Sequence, residues 1–339
     1  MKNVVSIIVF CALLPFCQRA QAVSEADYAA NIHDQVLPFI SAHLENFYFQ
    51  SFDGKRIHYA FVRTPGSRGT IVLVPGRAES IIGFREIVYD LARTGYSIAI
   101  IDHRGQGQSQ KLVADSSVGH VDHFQDYVKD FEAFVDQHVR TSLPAPYYLV
   151  GTSMGSAIST FYLLNHPNVF RKAALAVPMY KILTSWISNG IVSDILASLD
   201  WAGMATDFSP GQSAYDPNLA FEGNLFTHSR WRFEFDKALA RFHPEIAIGG
   251  ASVRWAEEAL NAASVLRASA TKLKTPVLMI QAGDDQIVAN DAVTDFCKTA
   301  QNCQLLTMPG ADHWIFMETD SIRNYVFGKI LGFFATLDR

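Results

Sequence analysis

The stretch Gly151-Thr152-Ser153-Met154-Gly155 is a G-x-S-x-G pattern. An apolar run at 147–150 precedes it, and a pattern that favours a helix follows at 154–164. In such a strand–turn–helix context, the two glycines permit a tight turn that lifts the serine hydroxyl above the end of the strand. That hydroxyl attacks a carbonyl carbon only after a base has taken its proton. The pattern therefore predicts Ser153 as the nucleophile of an acyl-transfer reaction.

A histidine is the usual base for such a serine, and His313 lies in the expected place. It follows the apolar run at 305–308, within Gly310-Ala311-Asp312-His313. In strand–turn–helix serine enzymes, the chain order of the three groups is serine, acid, histidine. The chain has 11 histidines. Among the others, His103 and His120 are competitors in other loops, and His166 looks like a helix-end residue.

The acid that orients the histidine is expected in the loop after the apolar run at 277–281. Two candidates lie there, Asp284 and Asp285. The acid holds the imidazole in the correct tautomer and stabilises the imidazolium. Asp285 is the favoured candidate, and Asp284 remains the alternative.

The developing oxyanion needs two N–H donors. One is predicted to be the backbone N–H of Met154, directly after the nucleophile. The other should come from the turn Pro75-Gly76-Arg77-Ala78, which follows the apolar run Thr70–Val74. We assign it to the backbone N–H of Arg77.

These residues follow short apolar runs that alternate with helical patterns. This alternation predicts an α/β fold with a mainly parallel sheet and helices on both faces. A hairpin is predicted before it, with strands at 47–52 and 56–63 joined by Asp53-Gly54. The six further strands are predicted at Thr70–Val74, Ser97–Ile101, 147–150, 173–177, 277–281 and 305–308, and the main helices at 81–93, 124–138, 154–164 and 322–337.

Residues 178–254, here called the insertion, interrupt the alternation and are too long for a simple connection. We predict that they form a lid above the sheet, within one domain that spans 23–339. An aminopeptidase would need acidic groups in such a lid to bind an amine, but the insertion is more aromatic than acidic. Its aromatic residues include Trp186, Trp201, Phe208, Tyr215, Phe221, Phe226, Trp231, Phe233 and Phe235.

Composition narrows the function classes. The 339 residues are 49% hydrophobic and 18% charged, with a net charge of −5. This balance supports a large folded core and lacks the basic character of a nucleic-acid-binding protein. The motifs predict no cofactor and no metal site, and they give no oligomeric state.

The N-terminus predicts export. Lys2, an apolar run from Val4 to Cys17 and small residues before Ala22 are typical of a secretory signal cleaved after Ala22, so that residues 1–22 are removed. An uncleaved membrane anchor is the alternative. Cys297 and Cys303 remain after cleavage, and an even pair in an exported chain suggests a disulfide.

Several stretches together resemble the lysophospholipase L2 group, whose relatives include the monoacylglycerol lipases. The resemblance runs from about residue 70 to the C-terminus. It departs at Pro75, where many monoacylglycerol lipases have histidine, and at Ser156, where many relatives have glycine. The matching stretches are 75–80, 102–109, 119–121, 153–159, 227–230 and 310–313.

The resemblance implies an α/β-hydrolase fold and a Ser-His-Asp esterase that acts on single-chain acyl lipids, which a membrane surface could present. We expect a lysophospholipase; the alternatives are a monoacylglycerol lipase or general carboxylesterase, a prolyl aminopeptidase and a non-catalytic lipid carrier. The Arg77 side chain would contact a head-group phosphate or form a surface salt bridge. The glycine-rich loop Asp102–Ser109 would brace the site.

Overall fold

A computed structural model describes residues 22–184 and 187–336. Its centre is an eight-stranded sheet with the order β1-β2-β4-β3-β5-β6-β7-β8. Strands β1 and β2 are antiparallel to their neighbours, and β4-β3-β5-β6-β7-β8 are parallel. The predicted mostly parallel sheet with a leading hairpin is therefore confirmed. The predicted signal peptide lies outside the described residues except for Ala22.

The bounds of the elements are as follows. The strands are β1 (Leu44–Gln50), β2 (Arg56–Val62), β3 (Thr70–Val74), β4 (Ser97–Ile101), β5 (Tyr147–Thr152), β6 (Phe170–Ala176), β7 (Val277–Ala282) and β8 (Cys303–Met308). The helices are α1 (Tyr28–Asn31), α2 (Leu37–His43), α3 (Arg85–Ala92), α4 (Phe124–Ala133), α5 (Arg140–Ser142), α6 (Ser153–Asn165), α7 (Asn189–Trp201), α8 (Arg230–Phe242), α9 (Val253–Arg267), α10 (Asn290–Thr299) and α11 (Asp320–Ala335). Among the helices of these ranges, none has both the length and the hydropathy that a bilayer crossing requires.

Helices cover the sheet on both faces. Tyr148 of β5 stacks on Phe334 of α11 with 4.7 Å between ring centroids. Phe170 of β6 pairs in register with Tyr147 and contacts Phe131 of α4 and Tyr162 of α6. Because adjacent residues of a strand point to opposite faces, α11 covers one face, and α4 and α6 cover the other. Both faces of the central strands are therefore dry, which explains why β3 and β4 consist of buried residues throughout.

The predicted and observed elements differ mainly at their ends. The helix predicted at 81–93 is shorter, Arg85–Ala92, because turns occupy 81–84. The helix predicted at 124–138 consists of α4 followed by a π-helical segment, Phe134–Val139. Strand β8 begins at Cys303 rather than at 305. Cys297 of α10 and Cys303 form a disulfide with a Cα–Cα distance of 5.3 Å.

The aromatic residues of the insertion do not share one surface. Tyr215, Phe226 and Phe233 line a cavity beside the sheet. Trp201 and Trp231 instead face solvent, with 91% and 57% of their surface exposed. Only some of the insertion's aromatic residues therefore face the cavity. Trp186 lies outside the described residues.

A buried arginine binds the insertion to the rest of the molecule. Arg232 of α8 is fully buried and donates to Glu86 of α3 at 2.9 Å and to Asp320 of α11 at 2.9 Å. It also donates to the carbonyl oxygen of Val23 at 3.1 Å. The backbone N–H of Val23 in turn donates to Asp90 at 3.1 Å. One cation therefore joins α8, α3, α11 and the start of the described chain.

Candidate active site

Ser153 occupies a strained turn between β5 and α6. Its φ is +48°, a left-handed conformation that costs a non-glycine residue about 1–2 kcal/mol. Gly155 is required for this turn, because a Cβ there would lie 2.0 Å from the carbonyl oxygen of Val74. The sequence pattern therefore has a steric cause, and it leaves the serine at the carboxyl end of the parallel strands.

Ser153, His313 and Asp285 lie in one hydrogen-bonded line. His313 Nε2 is 3.0 Å from Ser153 Oγ, and His313 Nδ1 is 2.8 Å from Asp285 Oδ2. The side chains of His313 and Asp285 are 8% and 0% exposed, so little water competes for these bonds. This is the arrangement in which a histidine takes the proton of a serine while a carboxylate fixes its tautomer.

The surroundings of the two candidate acids distinguish them. The second carboxylate oxygen of Asp285, Oδ1, accepts hydrogen bonds from the backbone N–H groups of Ile287 at 2.8 Å and Val288 at 3.0 Å. These bonds fix the carboxylate with Oδ2 directed at His313. Asp284 is exposed, and among the described residues its side chain makes no hydrogen bond. The structure therefore brings Asp285, and not Asp284, to the histidine.

The two predicted oxyanion donors border the serine. Met154 is in the first turn of α6, where backbone N–H groups have no acceptor within the helix. The turn that contains Arg77 lies against the serine, since a Cβ on Gly76 would be 3.3 Å from Ser153 Cβ. No described residue accepts a hydrogen bond from the Arg77 N–H. Both N–H groups are therefore free to bind a ligand.

Glu79 ties that turn to the nucleophile strand, a role that the sequence did not reveal. Its Oε2 accepts hydrogen bonds from the Gly76 N–H and from the Thr152 hydroxyl. Burial raises the pKa of Glu79, and His313 opposes that rise electrostatically. The only sequence signal for Glu79 was its place in the matching stretch 75–80.

The Asp102–Ser109 loop braces the same turn. His103 Nε2 donates to the carbonyl oxygen of Pro75 at 3.0 Å, and burial lowers the pKa of His103 to about 4. The Gln106 side chain donates to the Gly76 carbonyl and accepts from the Ala78 N–H, each at 3.0 Å. These contacts agree with the expected structural role of the loop, and among the described residues the serine's hydrogen bond goes to His313 and not to the neutral His103.

His120 and His166, the two remaining histidines considered as alternative bases, have partners elsewhere. His120 Nδ1 lies 2.9 Å from the Ser252 hydroxyl, and His166 Nε2 lies 3.0 Å from Glu132.

Ser156 is one of the two positions at which the sequence departs from its relatives. Its hydroxyl donates to the Ala176 carbonyl of β6 at 2.9 Å. A serine is thus accommodated where a glycine is common.

His228, Asp312 and Glu318 form a cluster that the sequence did not predict. His228 Nδ1 is 2.8 Å from Glu318, and its Nε2 is 3.6 Å from Asp312. Their ligand-type atoms lie within 4.8 Å of one another. The two ring nitrogens face different carboxylates, and the hydrogen bond to Glu318 raises the pKa of His228. The cluster therefore joins the insertion to the segment that follows His313 through hydrogen bonds of His228.

A cavity of about 410 Å³ adjoins the serine. Four residues, Glu79, Phe84, Trp314 and Met317, line both this cavity and the small pocket that contains Ser153 and His313. The volume lies within the range of small-molecule sites, roughly 300–1,000 Å³. Phe226 and Phe233 of the insertion add apolar surface. The space can therefore hold a ligand that extends away from the nucleophile.

The Arg77 side chain lines this cavity as a cation that has no carboxylate partner among the described residues. It donates to the Gly249 carbonyl and lies over the Trp255 ring at 5.1 Å, while its Nε is buried with no partner. Burial lowers its pKa to about 10, so it stays charged at neutral pH. The alternative of a surface salt bridge is therefore wrong.

Known proteins resemble this chain in sequence and fold. The model of the family described as "Serine aminopeptidase, S33" (Hydrolase_4) matches residues 65–320. Lysophospholipase L2 of Escherichia coli K12 is 34% identical over 302 residues, which cover 84% of this chain and 86% of that protein. Probable lysophospholipase L2 of Haemophilus influenzae is 30% identical, with 87% and 93% covered.

A solved structure agrees in fold. A soluble variant of monoglyceride lipase from Saccharomyces cerevisiae, in complex with a substrate analog, superposes with a TM-score of 0.67. It is 22% identical, and the match covers 87% of this chain and 96% of that one. The chain therefore belongs to the Serine aminopeptidase, S33 (Hydrolase_4) family of α/β-hydrolases, and it is an ester-hydrolysing serine hydrolase of the lysophospholipase and monoglyceride lipase type.

Proposed function

We propose that the protein is an exported lysophospholipase that releases the fatty acid of single-chain phospholipids through a Ser-His-Asp acyl-enzyme mechanism. The Arg77 cation carries this proposal, because it belongs to the oxyanion turn, lines the cavity and lacks a carboxylate partner among the described residues. An anionic head group that entered the cavity would supply the missing charge. Arginine binds phosphate oxygens through charge-assisted hydrogen bonds.

The first half-reaction forms the acyl-enzyme. Ser153 Oγ attacks the ester carbonyl carbon, and His313 Nε2 takes the serine proton while Asp285 stabilises the imidazolium. The backbone N–H groups of Arg77 and Met154 bind the oxyanion. The tetrahedral intermediate then collapses with cleavage of the bond to the glycerol oxygen, which takes the proton from His313. The glycerophospho product leaves.

The second half-reaction releases the fatty acid. His313 removes a proton from water as the water oxygen attacks the acyl carbonyl carbon. The same two N–H groups bind the second oxyanion. Cleavage of the bond to Ser153 Oγ then returns the proton from His313 to the serine, and the fatty acid departs.

Two features support action at a membrane surface outside the cytoplasm. Residues 1–22 have the pattern of a cleaved secretory signal. Helix α7 exposes Ile191, Ile195 and Trp201 to solvent, although large apolar side chains are mostly buried in soluble proteins. An apolar surface on the insertion would bring the cavity close to an aggregated lipid substrate.

The proposal predicts a change in selectivity for Arg77→Ala. This variant keeps the backbone N–H but removes the cation, so it should weaken catalysis on a lysophospholipid more than on a monoacylglycerol of the same acyl chain. A hydrogen bond to a charged group contributes roughly 1.5–3 kcal/mol, which corresponds to a loss in kcat/KM of about tenfold or more on the phospholipid. The measurement is kcat/KM on both substrates in the same mixed micelles, with Ser153→Ala as the blank.

Arg77→Lys is the matched control, since it keeps a positive charge and should retain more of the selectivity. Equal losses on both substrates would remove the phosphate role from Arg77. A wild-type enzyme that prefers monoacylglycerol would assign the protein to the monoacylglycerol lipases instead. A protein that fails to react with a fluorophosphonate would be a lipid carrier and not an enzyme.

A further inference from the structure

A carboxylate of the insertion lines the cavity with no partner among the described residues. Asp236 of α8 makes no hydrogen bond or salt bridge with any described side chain or backbone group. Its neighbour Lys237 does not neutralise it in a close pair, because the Lys237 ammonium donates to the Asp216 carbonyl and lies 4.4 Å from the centre of the Tyr215 ring. The Asp236 carboxylate is therefore available to a ligand.

A second carboxylate, Glu79, lines the same cavity. Its Oε2 is occupied by Gly76 and Thr152, but Oε1 accepts no hydrogen bond from a described residue. Burial, together with the nearby charge of Glu79, raises the pKa of Asp236 to about 6. Two carboxylates that repel each other in a partly dry cavity are stabilised by a bound cation. The insertion, although more aromatic than acidic, therefore contributes one carboxylate that could bind an amine, Asp236.

The cavity therefore holds unpaired charges of both signs. Among the described residues, Arg77 lacks a carboxylate partner, and Asp236 lacks a cation at hydrogen-bonding distance. A ligand that carries an anion and a cation together would place its anion beside Arg77 and its cation between the two carboxylates. A primary ammonium suits the acidic side better than a quaternary one, because its N–H groups can donate to carboxylate oxygens.

We propose that Asp236 and Glu79 form a binding site for a primary ammonium group on the substrate's head, while Arg77 receives the phosphate of that head. The inference deepens the proposed function and rests on it. It makes Asp236 a specificity residue that favours an ethanolamine head group over a glycerol head group of equal acyl chain.

The test compares Asp236→Asn with wild type on lysophosphatidylethanolamine and lysophosphatidylglycerol in identical mixed micelles. The variant is expected to lose about tenfold or more in kcat/KM on the ethanolamine lipid, because a charge-assisted hydrogen bond is lost. On the glycerol lipid, which has no ammonium, kcat/KM should change by less than about threefold. The matched control is Glu234→Gln, which removes the same charge from an exposed position of α8 and should alter neither value.

The outcomes separate this inference from the proposed function. Equal losses of Asp236→Asn on both lipids, or no loss on either, would overturn the ammonium site and leave the lysophospholipase proposal intact. A wild-type enzyme that cleaves neither lipid would overturn the lysophospholipase proposal. In that case an aminoacyl ester with a free α-amino group tests the ammonium site. If Asp236→Asn lowers its cleavage, the ammonium site is supported, with an amino acid as its ligand. If Asp236→Asn leaves its cleavage unchanged, the ammonium site is overturned.

Discussion

Replacement of Ser153 by alanine is expected to lower kcat for ester hydrolysis by about 10⁴-fold or more, with the midpoint of thermal unfolding unchanged or slightly raised. The attacking oxygen is lost, while the turn that carried it keeps its glycines and loses no buried hydrogen bond of the core. His313→Ala should have a similar effect, because the serine then has no base within reach. Steady-state hydrolysis of a nitrophenyl ester, with labelling by a fluorophosphonate, measures both losses.

The two neighbouring aspartates provide the internal comparison. Asp285→Asn should lower kcat by about 10³- to 10⁴-fold, since the amide no longer fixes the tautomer of His313. Asp284→Asn should change kcat by less than about threefold, because Asp284 is exposed and does not contact the histidine. If the Asp284 variant were damaged and the Asp285 variant were normal, the assignment of the acid would be wrong.

The largest loss of stability is expected for Arg232→Met. The methionine fills part of the volume but removes the cation that lies 2.9 Å from both Glu86 and Asp320. Glu86 then keeps Arg323, at 3.4 Å, as its remaining cation. Removal of one member of a buried ion pair typically costs about 3–5 kcal/mol. Urea unfolding at neutral pH, followed by fluorescence, should therefore give a free energy of unfolding lower by about that amount, with the slope unchanged.

Arg230→Met is the matched control on the same helix. Arg230 is about half exposed and pairs with Glu222 and Glu234 at the surface, and such pairs contribute about 0–1 kcal/mol. The free energy of unfolding should therefore change little. A similar small change for Arg232→Met would show that the buried cluster is replaceable by apolar packing, as has been found for some buried ion networks.

The catalytic line of Ser153, Asp285 and His313 could be predicted because each residue follows an apolar strand, and parallel strands bring their carboxyl ends to one edge. The glycine spacing around Ser153 also has a local steric cause. By contrast, Glu79 and Asp236 meet only after the insertion folds over the turn that follows β3. They are 157 positions apart, and neither lies in a pattern that local periodicity can detect.

The difference between local patterns and long-range contacts also decides which parts of the fold could be predicted. The buried strands were predictable from length and composition, since a dry sheet requires continuous apolar runs. The packing of the insertion could not be predicted, because its aromatic content does not indicate which side chains face inward. Trp201 and Trp231 face solvent, while the polar Arg232 is fully buried on the same helix as Trp231. Burial there depends on carboxylates from α3 and α11, which no local pattern reveals.

The contact between the Val23 nitrogen and Asp90 acquires a different meaning in the exported form proposed above. Cleavage after Ala22 makes Val23 the first residue, so the nitrogen that lies 3.1 Å from Asp90 becomes an α-ammonium instead of a peptide amide. Proteolytic maturation would then add a cation to the buried cluster of Arg232, Glu86 and Asp320. Cleavage of the leader would then also stabilise the folded core. The precursor, before its translocation, would be less stable than the mature protein. A chain that begins at Val23 should accordingly unfold at a higher urea concentration than one extended by two residues, and equal midpoints would contradict this coupling.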